Sequence, residues 1–246
     1  EDSNPLLAVG RYHLQPLLNL PLVARHDRVQ HRQIEIEALR LVGQCAHILW
    51  QARAAEGKTK WWEWLLDHLF NVGVIPQANA CPAPFKWTQI HMDDEDRKNA
   101  NGRGGWIGAI TSTNNTTYRF CKLDTITSLA YRPLPKTGDE HDYAVVNMGL
   151  LCPSGARRVL RIEENELWRN ANSSSGDVFP NFKVYNTWFN FYCHFDGGAK
   201  SILGHMQSFP KLGFAHGVFA PTAMPAPYAL QHGWVYQDDE DTLNWN

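Results

Sequence analysis

The stretch DDEDRKNAN, at residues 93–101, decides how this chain is organised because two similar stretches follow it. They are ENELWRNAN at residues 164–172 and DDEDTLNWN at residues 238–246. We call the three stretches the first, second and third motif. In each motif an acid stands first, Glu third, and Asn seventh and ninth. The motifs begin 71 and then 74 residues apart, a period that predicts a small β unit used more than once.

The cysteines repeat with the same period as the motifs. Cys81 precedes Cys152 by 71 residues, and each of them is followed by Pro. Cys121 precedes Cys193 by 72 residues. Because the motifs and the cysteines agree independently, the sequence predicts an internal duplication. The units that we expect are two complete repeats and a partial third, at about 76–142, 143–211 and 212–246.

Before the first repeat, the sequence predicts helices. Apolar residues recur every three to four positions from Asp27, the expected N-cap, until Gly57. A second helix is expected from Trp61 to about Asn71, closed by Gly73. We therefore expect an α+β fold, mostly β, in which an N-terminal helical hairpin docks on a β-rich, internally repeated body. The expected domains are residues 1–75, the arm and hairpin, and residues 76–246, the repeats.

The repeated region has the composition of β-strands. Five short runs are rich in β-branched and aromatic residues and are separated by clusters of Gly, Pro, Asn and Ser. We expect each run to form a strand. The runs are 87–90, 117–120, 143–146, 188–191 and 233–236.

Five cysteines indicate an oxidising compartment, with two disulfides and one remaining thiol. Cys45 has no counterpart in the repeats and is the expected thiol. The preferred pairing is Cys81–Cys121 with Cys152–Cys193, because the two loops then match in length, and Cys121–Cys152 is the alternative. Since the sequence begins without Met and contains no run apolar enough to span a membrane, we expect a secreted protein.

The motifs concentrate oxygen ligands of the kind that Ca²⁺ binds in groups of six to eight. We therefore expect Ca²⁺ to organise the acidic loops, most weakly in the second motif, where Asn165 and Leu167 replace acids. The alternative is purely structural, since Asp and Asn side chains also close turns on their own backbone. The candidate metal ligands are Asp93, Glu95, Asp96, Asn99, Glu164, Glu166, Asn170, Asp238, Glu240, Asp241 and Asn244.

Aromatic residues beside the motif asparagines suggest a sugar-binding surface. Trp168 and Trp245 stand among polar motif positions, where we expect their rings to be exposed and able to stack on a ligand. Trp106, Trp188 and Trp234 lie on expected strands or next to them, and we expect these three in the core. The candidate ligand-binding residues are Trp168, Trp245, Asn101, Asn172 and Asn246.

The net charge and a search for known catalytic motifs limit the classes of function that the sequence supports. The net charge of −2 gives the chain no general attraction to nucleic acid. The sequence contains no phosphate-binding loop, zinc-protease helix motif, nucleophile elbow or Cys-x-x-Cys pair. We therefore expect a non-enzymatic, lectin-like recognition protein that binds glycan or another cell-surface ligand. A structural subunit of an extracellular coat, matrix or filament is the alternative, and a secreted hydrolase is the third hypothesis.

The third repeat stops at its motif, so it lacks the strand that follows the motif in the other two repeats. A β unit without that strand exposes an unpaired edge, and such edges are normally covered. We expect the apolar N-terminal arm, residues 4–22, to supply the missing strand. The same arm taken from a neighbouring molecule would cause self-association.

Overall fold

A computed structural model describes residues 6–9, 68–94, 99–165, 170–176, 182–184 and 186–238. These residues belong to one compact unit, formed by residues 1–13 together with 68–246. Residues 14–67 are assigned to a second unit and lie outside the described residues. The domain boundary expected near residue 76 stays a prediction.

The described residues form thirteen strands, one short helix and one 3-10 turn. The helix α1 covers Thr125–Leu129, and the 3-10 turn covers Asp139–His141. The strands are β1 Leu6–Val9, β2 Val72–Pro76, β3 Lys86–Met92, β4 Gly102–Gly105, β5 Thr111–Ser112, β6 Thr116–Lys122, β7 Tyr143–Asn147, β8 Ala156–Glu164, β9 Ser173–Gly176, β10 Phe182–Val184, β11 Thr187–Phe195, β12 His216–Phe219 and β13 Gln231–Tyr236.

The α+β class expected from the sequence is wrong, because the described part of the chain is nearly all β, with 41% strand and 6% helix. Its described part is a curled, mainly antiparallel sheet and contains no helical hairpin. Gly73, expected to close the second helix, lies instead within β2, where an added Cβ would come 2.5 Å from Val146 Cγ1. This glycine therefore permits close packing in the sheet. Residues 27–67 of the expected hairpin lie outside the described residues.

Three inner strands of the sheet pair with one another. β2 pairs with β7 and β12, and β7 also pairs with β12. On its outer side, each inner strand pairs with a middle strand, and the middle strand pairs with an outer strand. We call the three resulting sets the first, second and third triplet. The triplets are β2–β6–β3, β7–β11–β8 and β12–β1–β13. The first two use their strands in the same chain order, so one pairing pattern occurs twice, while the bounds expected for the repeats stay a prediction.

The N-terminal arm completes the third triplet. β1 pairs on one side with β12 and on the other with β13, which is the place that β6 and β11 hold in the other triplets. The prediction that the arm supplies the missing strand is therefore confirmed. β1 runs parallel to both neighbours, whereas β6 and β11 run antiparallel to theirs. No hairpin joins β1 to β13 in the sequence, so no short turn requires an antiparallel direction.

The strand and disulfide predictions are confirmed. All five runs expected as strands lie in β3, β6, β7, β11 and β13. Disulfides join Cys81 to Cys121 and Cys152 to Cys193, with Cα atoms 5.5 and 5.4 Å apart. They tie equivalent points of the first two triplets, because Cys121 lies on β6 and Cys193 on β11. Cys45 lies outside the described residues.

Two apolar clusters form the core. The first surrounds the disulfides and contains Tyr143 and Phe195, whose stacked rings have centroids 4.6 Å apart. The second contains Phe120 and Trp188, and Trp188 is only 2% exposed, as expected for a core residue. Trp106 is half-buried and packs against the second cluster. In the described part of the chain, no helix has the length and apolarity needed to cross a bilayer.

Candidate functional site

The second motif binds the first through its asparagines. The Asp93 N–H donates to Asn172 Oδ1 at 2.7 Å, and Asp93 Oδ2 accepts the Ala171 N–H at 2.6 Å. Asn172 closes a local turn, since its N–H donates to Asn170 Oδ1 at 3.0 Å. After this contact the chain continues as β9, which pairs with β3 on the outer side of the first triplet.

The first motif binds the third with the same atoms. The Asp238 N–H donates to Asn101 Oδ1 at 2.6 Å, and Asp238 Oδ2 accepts the Ala100 N–H at 2.6 Å. The Asn101 N–H donates to Asn99 Oδ1 at 2.9 Å. The chain then continues as β4 on the outer side of the third triplet, where it pairs with β13. We call each such contact between an acid and an Asn-x-Asn segment a motif junction.

The motif junctions use the oxygens that we expected to bind a metal. Asp93 and Asp238 each accept a backbone N–H from another motif, and Asn99 Oδ1 and Asn170 Oδ1 each accept a backbone N–H within their own motif. The two residues predicted to bind a sugar, Asn101 and Asn172, also use their side-chain oxygens in the junctions. This arrangement supports the turn interpretation for the described positions, while Ca²⁺ stays a prediction. The predicted site residues that lie outside the described residues are Glu95, Asp96, Glu166, Trp168, Glu240, Asp241, Asn244, Trp245 and Asn246.

A buried carboxylate lies between the junctions. Asp94 is fully buried and accepts hydrogen bonds from Thr116 Oγ1 at 2.6 Å, Asn101 Nδ2 at 2.7 Å and Gln237 Nε2 at 2.9 Å. Desolvation raises the pKa of Asp94 to about 6, and these hydrogen bonds oppose the rise. The charge of buried Glu163 contributes a smaller increase. Asp94 therefore joins the first motif to Gln237, the residue directly before the third motif, through a buried carboxylate whose pKa is raised.

One His and two Asp side chains also meet at the surface. Asp142, His194 and Asp196 each offer a ligand atom within 4.8 Å of the others, which is the single such group in the described part of the chain. Asp196 Oδ1 already faces His194 Nδ1 at 3.1 Å and Arg157 Nη2 at 3.3 Å. Asp142 Oδ1 accepts the Gly197 N–H at 2.6 Å. Because a guanidinium already balances the Asp196 charge, we assign this cluster a structural role.

The outward face of β13 carries two exposed aromatic rings. Trp234 is 46% exposed and Tyr236 55% exposed, while Val235 between them faces the second core cluster. Trp234 lies opposite Gly104 in the sheet, and Tyr236 lies opposite Gly102. A Cβ at Gly104 would come 2.6 Å from Trp234 Nε1, and a Cβ at Gly102 would come 3.0 Å from Trp234 Cζ3. The Trp234 ring therefore lies across the glycines of β4. We call Trp234 and Tyr236 the aromatic platform.

Sequence reasoning placed Trp234 in the core, and its 46% exposure corrects that prediction. Alternation along β13 puts Trp234 and Tyr236 on one face and Val235 on the other. That pattern was visible in the sequence, but either face could have been the buried one. The neighbouring strand β4 determines that this face is exposed, because its glycines have no side chains that could cover the Trp234 ring.

Comparison with known protein families gives a match over part of the chain. Residues 37–149 match a family model described as Bacterial ApeC. The matched residues, less than half of the chain, include β2 to β7 and therefore the whole first motif. The chain is similar to this family over that range. No curated protein and no solved structure matches the chain.

Proposed function

We propose that this is an extracellular, non-enzymatic recognition protein that binds glycan or a similar surface ligand on its aromatic platform. The observation that carries the proposal is the exposure of Trp234 and Tyr236 above the glycines of β4. The two disulfides support an extracellular location, because such bonds persist in oxidising compartments.

The platform has the physical properties of a sugar-binding surface. A flat ring with one solvent-facing side stacks on the C–H face of a pyranose and buries apolar area with little loss of side-chain freedom. The Trp234 ring is supported from below by β4, which keeps the stacking surface in place before ligand arrives. His232 is exposed on the same face, two residues before Trp234, and supplies a hydrogen-bonding group at the edge. Preorganised rings with a polar neighbour favour a glycan over a purely apolar ligand.

The equivalent faces of the other triplets differ. Gln89 and Leu160 occupy the positions that correspond to Trp234 when the motifs are aligned. Neither side chain offers an aromatic ring, so the described residues support one stacking site per chain.

A glycan array tests the proposal. We expect the wild-type protein to bind a defined subset of glycans, and Trp234→Ala to weaken that binding roughly tenfold or more, because stacking on the ring is lost. Ile202→Ala is the matched control, since Ile202 is 93% exposed in a turn outside β4 and β13. Both variants should melt at the wild-type temperature. Unchanged glycan binding by a folded Trp234→Ala variant would refute the platform.

The alternative, a structural subunit of a coat, matrix or filament, is favoured by the same exposed apolar surface. Leu230, 61% exposed, directly precedes β13, so the same segment of chain carries another exposed apolar side chain. Light scattering over a range of protein concentrations separates the two functions. Association that grows with concentration and is abolished by Trp234→Ala supports the structural subunit, and a monomer that binds glycan supports recognition.

A further inference from the structure

The outer face of the first triplet is polar, whereas its inner face belongs to the core. Along β3, Thr88, Ile90 and Met92 are buried, and the residues that alternate with them are half-buried and point to the opposite face. Pairing with β6 and β9 places two rows of polar side chains on this outer face. The rows are Thr117–His91–Ser173 and Arg119–Gln89–Ser175. We call these six residues the polar face.

Arg119 is the cation of the polar face and is held in one orientation. Its Cζ lies 4.9 Å from the centroid of the Trp87 ring, and its Nη2 donates to Gln89 Oε1 at 2.5 Å. In the part of the chain that the structure describes, no carboxylate pairs with Arg119. The stack on Trp87 uses the flat side of the guanidinium, and Gln89 takes one of its five N–H groups. The guanidinium therefore retains oriented donors and a positive charge for a ligand.

The other members of the polar face supply hydrogen-bonding groups of the kind that hydroxyls need. His91 Nδ1 lies 2.9 Å from Thr117 Oγ1, which orients the imidazole ring, and Ser173 and Ser175 are exposed on β9. Strand and residue spacings make the polar face roughly 10 Å wide and about 7 Å long, which accommodates a sugar ring. Asp93, the acid two residues beyond His91, is buried and its carboxylate accepts a backbone N–H.

The second triplet shows that a stacked arginine alone does not make such a face. The Arg158 Cζ lies 4.0 Å from the centroid of the Phe191 ring, so the second triplet also carries a cation on an aromatic ring. When the motifs are aligned, Leu160 and Ile162 hold the places of the two polar residues of β3. Arg158 therefore has a similar stack without the polar rows, and it provides a matched control.

We infer that the polar face binds a sugar unit that carries a carboxylate. The Arg119 guanidinium donates hydrogen bonds to the carboxylate, and Gln89, His91 and the two serines bind the hydroxyls of the sugar. A carboxylate fits better than a phosphate monoester, because its single charge equals that of the guanidinium, whereas a phosphate monoester carries about −1.5 to −2. The polar face lies on a different triplet from the aromatic platform, so the inference does not depend on the ligand proposed there.

Titration calorimetry of the full chain tests the inference with two probes. The acidic probe is an oligosaccharide of glucuronic acid, and the neutral probe is the oligosaccharide of glucose with the same linkages. The two probes differ only in the carboxylate. We expect the acidic probe to bind roughly tenfold more tightly, because hydrogen bonds between charged groups are stronger than those between neutral ones, and we expect salt to reduce this preference.

Two pairs of variants locate the binding site. Arg119→Gln should weaken binding of the acidic probe roughly tenfold, while Arg158→Gln, which removes the same charge, should leave it unchanged. Ser175→Glu places a competing carboxylate opposite Gln89 and should also weaken that binding. Ser174→Glu adds the same charge on the opposite face of β9 and should have no effect. Because both serines are exposed, the second pair keeps the test valid if Arg119→Gln does not fold.

Three results would overturn the inference. One is the absence of any preference for the acidic probe, which includes no binding at all. Another is an equal effect of Ser175→Glu and Ser174→Glu in folded protein. The last is loss of acidic-probe binding in Trp234→Ala with retention in Arg119→Gln, because the acidic sugar would then lie on the aromatic platform. Tighter binding of a sulfated glucose oligosaccharide than of the acidic probe would overturn the choice of a carboxylate.

Discussion

Asp94 makes the stability of this protein depend on pH in a direction opposite to that of most carboxylates. Its pKa is raised to about 6 from an ordinary value of 3.8, chiefly because the side chain is buried. Between these two pH values the folded protein holds a proton that the unfolded chain releases. Stability from Asp94 is therefore fully present below the unfolded pKa and is lost as pH rises through the folded pKa.

The size of the effect follows from the pKa shift. Raising the pKa from 3.8 to about 6 corresponds to roughly 3 kcal/mol between the low-pH and high-pH limits. Over a practical range, from about pH 4.5 to about pH 7.5, linkage gives a loss of about 2 kcal/mol. Asp94→Asn removes the titration but retains one acceptor oxygen for Thr116 and Asn101. The two proteins should therefore differ in the pH dependence of their stability.

Urea unfolding at a series of pH values measures this dependence. The free energy of unfolding of the wild type minus that of Asp94→Asn should fall by about 2 kcal/mol between the ends of that range. Subtraction removes the contributions of the titratable groups that both proteins share. A difference that is constant with pH, whatever its absolute value, would refute the assignment of a raised pKa to Asp94.

Three further predictions concern the disulfides, the arm and calcium. Replacing Cys152 and Cys193 by Ser opens a bridge with a sequence separation of 41 and should cost about 4 kcal/mol in urea unfolding, and an unchanged midpoint would contradict a stabilising bridge. Deleting residues 1–10 removes β1 and should lower the melting temperature or cause association in light scattering, since β12 and β13 lose their shared neighbour. If Ca²⁺ binds the acidic loops, chelator should lower the melting temperature, and Glu95→Gln or Glu240→Gln should reduce that shift. A melting temperature indifferent to chelator, in metal-free protein, would leave the turn interpretation alone.

Much of the fold could be predicted from the sequence because the motifs and the cysteines repeat independently with nearly the same period. Cysteines spaced like the motifs fixed which cysteines are equivalent, and equal loops then selected Cys81–Cys121 and Cys152–Cys193. Runs rich in β-branched and aromatic residues located five strands, because such side chains pack well on a pleated sheet whichever strand is the partner. The helix expected to end at Gly73 was wrong, because a glycine that follows a helical pattern can also belong to a strand. Gly73 lies in β2 and allows that strand to pack against Val146.

The sequence alone determined that three similar motifs exist and which cysteines are equivalent, and it favoured pairing within the repeats. Only the tertiary structure decided which motif binds which. Asp93 binds Asn172 and Asp238 binds Asn101, so the hydrogen bonds join residues 79 and 137 positions apart. A period in the sequence records that local environments are equivalent, but it carries no information about the order in which equivalent units meet. The order in which the motifs meet is fixed when the inner strands β2, β7 and β12 pair with one another. The exposure of Trp234 depends likewise on the tertiary structure, because it is the pairing of β13 with β4 that places glycines beside the ring.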